Sequence, residues 1–127
     1  MPVKPLTIAT LTAEAARALQ RTRLLSASGY RVITPRIPAD IVRLLANENA
    51  VALVVNNSLN FFEKKQLLQR VRQSSPGLLI VHVFRRGEEE NESLADSDVD
   101  VTDPTNLVFE LEKLLSSRGY GEDAKRA

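Results

Sequence analysis

The amino-acid sequence predicts an α/β domain built on a doubly wound, five-stranded parallel sheet with the strand order 2-1-3-4-5. Short apolar runs alternate with segments of helical periodicity, which is typical of βαβ units. Right-handed crossovers between five such strands commonly give this order. The 127 residues suit one domain with a single core, which we expect over residues 1–118, followed by a flexible C-terminal tail over residues 119–127.

Five apolar runs are the predicted strands, and the run at residues 51–55 is the clearest of them. It has the continuous apolar character of a strand buried on both faces, and it stops on two asparagines, Asn56 and Asn57. Ligands of such sheets bind outside the carboxyl ends of the strands, so these amides occupy a position typical of a functional site. The predicted strands span residues 6–11, 30–34, 51–55, 78–84 and, more weakly, 99–101.

Four helices are predicted between and after these strands. Capping and turn residues indicate that they extend over about residues 12–29, 38–49, 60–74 and 103–119. The helical period places an apolar stripe on each of them. The residues expected to face the core are Ala15, Ala18, Leu19, Thr22 and Leu25, then Ile41, Leu44 and Leu45, then Phe61, Leu68 and Val71, and finally Leu107, Leu111, Leu114 and Leu115.

The alternation lacks a regular helix between the fourth and fifth strands. Residues 85–98 offer only Leu94 and Ala95 as apolar side chains to bury, which is too little to offset the entropy of ordering a helix. We therefore expect the fourth helix to be shortened or replaced by an acidic loop. Half of the 16 acidic residues lie between Glu88 and Asp103, while residues 1–86 hold 13 Lys and Arg against 4 Asp and Glu, so the net charge of +1 hides a basic body and an acidic end.

Composition excludes several kinds of site. The chain has no cysteine and one histidine, His82, which excludes disulfides, thiol chemistry and metal sites rich in cysteine or histidine. No glycine-rich phosphate loop follows the first strand. No apolar run approaches the roughly 18 residues of a membrane span. We expect a cytoplasmic protein that binds no metal or cofactor.

The ordered elements resemble the receiver domain of response regulators, which has a CheY-like, flavodoxin-like fold. The similarity covers residues 6–117. It rests on residues 25–33, which resemble the exit of the family's first helix into its second strand, and on the ungapped spacing from Val51 through Val71. Along that spacing Asn56 falls on the aspartate that accepts the phosphoryl group. The resemblance therefore implies that the nucleophile is missing, because an amide is a poor nucleophile.

The other functional positions implied by the resemblance are substituted as well. The acidic pair that holds Mg²⁺ falls near Leu11 and Thr12, the switch hydroxyl near His82 or Val83, and the lysine near Asp100. Phosphoryl transfer depends on positioning and charge neutralisation, so losing these groups together removes the mechanism. The chain thus resembles a pseudo-receiver of a bacterial two-component system, which is not an enzyme and acts by protein–protein interaction.

A different kind of function remains open on the same fold. Asn56, Asn57, Thr10, Thr12 and His82 could line a strand-end pocket of a small-molecule-binding or enzymatic domain. We favour the simpler explanation that the asparagines cap strand ends and form turns. The lone histidine is more typical of a half-buried residue that bonds to the backbone than of a catalytic group.

Charged and exposed apolar side chains suggest where a protein partner would bind. The acidic loop is either an arm that docks on a basic surface, including that of a second copy in a homo-oligomer, or a solubilising segment. Nucleic acid is not the expected partner, because the chain has no tryptophan and only two tyrosines to stack on bases and carries no helix-turn-helix, RRM or zinc motif. The candidate contacts are Arg17, Arg21, Lys64 and Lys65 on the basic body, Glu88, Glu89 and Glu90 on the acidic loop, and Val108 and Phe109 on the last helix.

Overall fold

A computed structural model describes residues 5–58 and 60–120 of the chain. Its sheet has five parallel strands in the order β2-β1-β3-β4-β5, which confirms the predicted topology. Each strand lies within two residues of its predicted position. The strands are β1 Thr7–Leu11, β2 Arg31–Ile33, β3 Ala52–Val55, β4 Leu79–Phe84 and β5 Ser97–Asp100.

Two helices pack on each face of the sheet. The described helices are α1 Ala15–Ala27, α2 Ile41–Glu48 with a preceding 3₁₀ turn Pro38–Asp40, α3 Phe61–Ser74 and α4 Asn106–Ser117. Local residues explain their ends: the side chain of Asn60 accepts a 2.8 Å hydrogen bond from the amide of Glu63 at the start of α3, and Asn49 is left-handed after α2. None of the helices in the described part is long and apolar enough to span a membrane. The tail predicted over 119–127 lies outside the described residues beyond Tyr120.

The core has two layers because alternate residues of each inner strand point to opposite faces. On β3, Ala52 and Val54 join the layer under α1 and α4, while Leu53 and Val55 join the layer under α2 and α3. All four residues are 0% exposed. Burial on both faces explains the continuous apolar run in the sequence.

The predicted inner face of α1 is wrong in part. Leu19 is 53% exposed and Ala15 is also exposed, whereas Arg21 is only 7% exposed and Leu25 is fully buried. The helix has leucines and alanines on more than one face, and the aliphatic stem of an arginine can cover apolar surface. The spacing of apolar residues alone therefore predicted the wrong residues for the buried face of α1. On α3, Lys64 is buried with Leu67, Leu68 and Val71; the side chain of Phe61 lies outside the described part.

No helix occurs between β4 and β5 in the described chain, as the acidic composition predicted. Residues 85–96 are nevertheless attached to the sheet and to α3. The amide of Ile80 donates to the carboxylate of Asp96 at 2.7 Å, and the amide of Asp96 donates to the carbonyl of Ile80 at 2.8 Å. Arg72 of α3 forms an ion pair with Asp96 at 3.0 Å. Leu94 and Ala95 also pack against the core layer under α2 and α3, so the segment is held by polar contacts together with a small apolar contact.

Candidate functional site

The carboxyl edge of the sheet is formed by the ends of β1, β3, β4 and β5. It brings Thr12, Asn56 and Ser58 together in one cluster of side chains. It brings Asn57 and His82 together in a second one. The strand pairing that aligns Val55 with His82, and His82 with Asp98, sets this second cluster across three neighbouring strands.

The first cluster is a network of hydroxyls and an amide. The Ser58 hydroxyl donates to Oδ1 of Asn56 at 2.6 Å and accepts from the amide of Ala13 at 2.7 Å. Its oxygen lies 2.8 Å from that of Thr12, and Thr12 must be the donor there because the Ser58 proton already goes to Asn56. Asn56 is 1% exposed, and its Nδ2 is buried without a hydrogen-bond partner in the described part. The cluster carries no charged side chain.

Mg²⁺ does not fit this cluster. Magnesium sites in proteins use one or two carboxylates together with waters and phosphate oxygens, and the positions implied by the resemblance hold Leu11, Thr12 and Asn56. Leu11 is 1% exposed and packs in the core layer under α2 and α3. Over residues 5–58 and 60–120, no group of three or more histidine, aspartate or glutamate side chains could hold a metal ion.

The second cluster is a chain of polar side chains that runs from an exposed carboxylate on β5, through the buried His82, to the buried Lys64 of α3. The ring of His82 bonds through Nδ1 to Asp98 and through Nε2 to Oδ1 of Asn57, both at 2.9 Å. The Lys64 ammonium donates to the same Oδ1 at 2.8 Å and pairs with Glu92 at 3.1 Å. We name Asp98, His82, Asn57, Lys64 and Glu92 the relay. Its two ends, Asp98 and Glu92, are carboxylates, and each has a nitrogen partner within the relay.

The direction of each hydrogen bond in the relay follows from Asn57. Its Nδ2 donates to the carbonyl of Glu89 at 2.8 Å, which fixes Oδ1 as the atom facing Lys64 and His82. Since Oδ1 only accepts, Nε2 of His82 must carry a proton to bond there, and Nδ1 must carry one to bond to the Asp98 carboxylate. Only a cationic ring satisfies both contacts.

Burial opposes that cation. It lowers the pKa of His82 below its ordinary value, while the hydrogen bond to Asp98 acts in the other direction and Lys64 adds to the lowering. At neutral pH the ring is therefore mainly neutral, and one of its two contacts lacks a proton. The relay gains that proton only on acidification, which makes His82 a pH-sensitive position.

The remaining predicted site residues lie apart from both clusters. Thr10 is fully buried, and its hydroxyl lies 2.8 Å from that of Thr34. Val83 is 0% exposed in the layer under α1 and α4. Asp100 is exposed, and hydrogen bonds from the side chain and amide of Thr102 lower its pKa. The five residues of the predicted strand-end pocket thus divide among three separate hydrogen-bonded groups.

The predicted interaction residues are used largely within the chain. Arg21 and Lys64 are buried and cannot belong to an exposed basic surface, which corrects that expectation for both. Arg17 pairs with Glu14 and with Glu88, each at 2.8 Å. The residues that remain at the surface or at its border are Lys65, Glu89 and Glu90, which are exposed, Val108, which is half-buried against the core, and Phe109, which is 62% exposed.

Sequence reasoning missed Ser58, Glu92 and Asp98 as site residues. Ser58 follows the asparagine pair and had a usable signal, because a hydroxyl two residues after an asparagine often closes a local turn. The other two depend on how the acidic segment crosses the carboxyl edge. No periodicity in residues 85–98 encodes that path.

No protein-family model and no curated protein matches this sequence. Solved structures of receiver domains share its fold. A CheY-like response regulator receiver domain protein from Methanospirillum hungatei JF-1 is 18% identical with a TM-score of 0.77, covering 91% of this chain and 97% of that one. The signal receiver domain of an HD domain-containing protein from Pseudomonas fluorescens Pf-5 is 17% identical with a TM-score of 0.75, covering 91% and 98%.

A third similar structure is the CheY-like protein TadZ from Pseudomonas aeruginosa PAO1. It is 16% identical with a TM-score of 0.67, covering 87% of this chain and 98% of that one. These likenesses, together with the strand order, show that the chain has the CheY-like, flavodoxin-type α/β fold.

Proposed function

We propose that this chain is a receiver-like signalling module that takes no phosphoryl group at Asn56 and acts by binding another protein. The observation that carries the proposal is the uncharged cluster at the ends of β1 and β3. Where a receiver needs a nucleophilic carboxylate and metal-binding carboxylates, Thr12, Asn56 and Ser58 bond to one another.

Each chemical requirement of phosphoryl transfer is affected separately. An amide does not form an acyl phosphate under conditions in which a carboxylate does. Leu11 and Thr12 supply no anionic oxygen for the metal that neutralises the developing charge. Val83 offers no hydroxyl and Asp100 no ammonium to bind a phosphoryl oxygen. Restoring one of these groups would leave the others missing.

A phosphodonor experiment tests this proposal. The protein is incubated with acetyl phosphate and Mg²⁺, and separately with beryllofluoride and Mg²⁺, then analysed by intact mass and by amide NMR. We expect no mass adduct and no shifts clustered at Thr12 and Asn56. The variant Asn56→Asp is the matched control and should also remain unmodified, because the metal ligands are still missing. A stoichiometric adduct on the unaltered chain would overturn the proposal.

Protein binding is proposed to use the exposed side of α4. Phe109 is 62% exposed there, with the Lys113 ammonium 5.6 Å from its ring centre, and exposed aromatics are enriched where proteins bind one another. Glu88 of the acidic loop is paired with Arg17 of its own chain, so the loop does not offer that charge to a second copy. We infer a partner in a bacterial two-component pathway, a cytoplasmic location and no enzymatic activity; nucleic acid is not proposed as a partner.

Self-association through α4 has a direct test. Sedimentation velocity over a range of concentrations and salt should show whether the chain forms an oligomer, and Phe109→Ser should abolish any oligomer that uses α4. Leu19→Ser, a change at an exposed leucine of α1, is the control. An oligomer that is lost equally in both variants would contradict the assignment to α4.

A further inference from the structure

We propose that the chain binds a phosphate-class oxyanion in a pocket lined by Arg21, between α1 and the start of α4. The pocket is lined by Gln20 and Arg21 of α1, by Arg85 after β4, by Pro104 just before α4 and by Leu107 in its first turn. Arg85 and Val101, which directly follow β4 and β5, line it near the carboxyl ends of these strands, where ligands of this architecture bind. It shares no residue with the hydroxyl cluster or the relay.

Arg21 is the unusual member of this pocket. It is only 7% exposed, and its Nη1 is buried without a hydrogen-bond partner in the described part of the chain. None of the ion pairs formed by the described residues includes it. Buried guanidinium groups in proteins are normally paired with an anion, because an uncompensated charge is costly to remove from water.

The charges around Arg21 add to the shortage of negative charge at this site. Burial lowers the pKa of Arg21 to about 10, with further lowering by Arg17 and Arg85, so the side chain still carries its charge at neutral pH. Glu14 and Glu88 are the acidic neighbours, and both already pair with Arg17 at 2.8 Å. Glu88 also accepts from the amide of Arg85 at 2.7 Å. Three guanidinium groups are thus balanced by two carboxylates.

The size of the pocket limits the ligand. Its interior volume is about 20 Å³, which is room for about one water-sized group. One oxygen of an oxyanion fits beside Arg21, while the rest of the anion lies at the mouth. There Arg85 donates to the side chain of Gln20 at 3.2 Å in an exposed contact, and both side chains can turn toward the ligand. Planar guanidinium groups bind phosphate oxygens in this way.

Thermal unfolding and NMR test the proposal, with inorganic phosphate as the probe. At constant ionic strength, millimolar phosphate should raise the Tm of the unaltered chain, and acetate and chloride should not. Saturable shifts should appear at the Arg21 side chain and at Gln20. Arg21→Met should weaken phosphate binding by about tenfold or more, whereas Arg23→Met, at an exposed position of the same helix, should leave it unchanged.

The outcomes divide clearly. Equal effects of acetate and phosphate would indicate simple screening and would overturn the proposal, as would unchanged phosphate binding by Arg21→Met. If Arg21→Met does not fold, the side-chain shifts of the unaltered chain decide. Saturation at Arg21 supports the site, and its absence overturns it. These results are independent of the phosphodonor experiment, which probes Asn56 in a different cluster.

Discussion

Lys64 provides a strong test of how the acidic segment is held. Its side chain is 6% exposed, that of Glu92 is 8% exposed, and the two pair at 3.1 Å. The change Lys64→Met keeps most of the apolar stem but leaves the Glu92 carboxylate without its cation and Asn57 without one of its donors. Breaking a buried pair from one side costs about 3–5 kcal/mol. We expect the lower end, about 3 kcal/mol, because Glu92 lies outside any helix or strand and can turn toward water.

Urea unfolding followed by circular dichroism measures this loss. With an m-value of about 1.5 kcal/mol/M, a cost of about 3 kcal/mol lowers the urea midpoint by about 2 M. The matched control is Arg43→Met, which removes an ion pair to Asp40 in which the arginine side chain is 73% exposed. Exposed pairs of this kind contribute about 0–1 kcal/mol.

A double variant separates the charge from the packing. Lys64→Met combined with Glu92→Gln leaves no uncompensated carboxylate, so it should be more stable than Lys64→Met alone. The reasoning is refuted if Lys64→Met costs no more than Arg43→Met. It is also refuted if the double variant is no more stable than the sum of the two single effects predicts, because the pair would then contribute nothing specific.

Two further predictions concern the relay and the core. An NMR titration should give His82 a pKa below the ordinary histidine value, because burial lowers it, and Asp98→Asn should lower it further; a pKa above the ordinary value would contradict the burial argument. Because its pKa is lower in the folded state than in the unfolded state, His82 contributes to stability above the unfolded-state pKa, and this contribution is lost as pH falls through the folded-state pKa. The urea midpoint should therefore decrease over that pH range. It should decrease less in His82→Gln. Leu111 is 0% exposed, and Leu111→Ala should lower the free energy of unfolding by about 2–5 kcal/mol, measured by calorimetry or urea unfolding. The exposed control Leu19→Ala should lower it by about 0.5 kcal/mol or less. Equal losses of stability in the two variants would show that α4 is not anchored through Leu111.

The sheet could be predicted from sequence because its inner strands are buried on both faces. A residue such as Leu53 needs only to be apolar for the strand to be recognised, and the Asn56-Asn57 pair marks where the strand ends. The edge strand β5 was less visible. It begins at Ser97 and exposes Asp98 and Asp100, so its apolar signal is reduced to Val99 and the strand was predicted to begin two residues late.

The candidate site was only half predictable. The location of Asn56 and Thr12 could be predicted from where the strands end in the sequence, since the carboxyl ends of parallel strands lie at one edge of the sheet. The contacts of Lys64 and Arg21 do not, because their burial depends on which face of each helix meets the sheet. In both helices a long cationic side chain occupies the inward position among polar neighbours, so residue type alone does not show which of them is buried.

The relay also explains how the fold tolerates the loss of a helix. A helix after β4 would cover this edge with an apolar face, as helices of such sheets do. Here Lys64 and His82 reach out from α3 and β4, and Glu92 and Asp98 meet them from the segment and strand that follow. Leu94 and Ala95 add a small apolar contact, but much of the cover is ionic, so we expect it to respond to pH and to single charge changes more than a wholly apolar cover would.

Folding the acidic segment onto the basic body also changes the electrostatic field that an approaching partner experiences. The sequence reads as two oppositely charged blocks, which would give a large dipole if they were separated. Glu88 beside Arg17, Glu92 beside Lys64 and Asp96 beside Arg72 bring those blocks within about 3 Å of each other. These three pairs offset part of that asymmetry, and charges further apart than a Debye length of about 8 Å at physiological salt are screened. A partner therefore gains less from electrostatic steering than two separated blocks would give, and its association rate should depend on salt less than the sequence alone indicates.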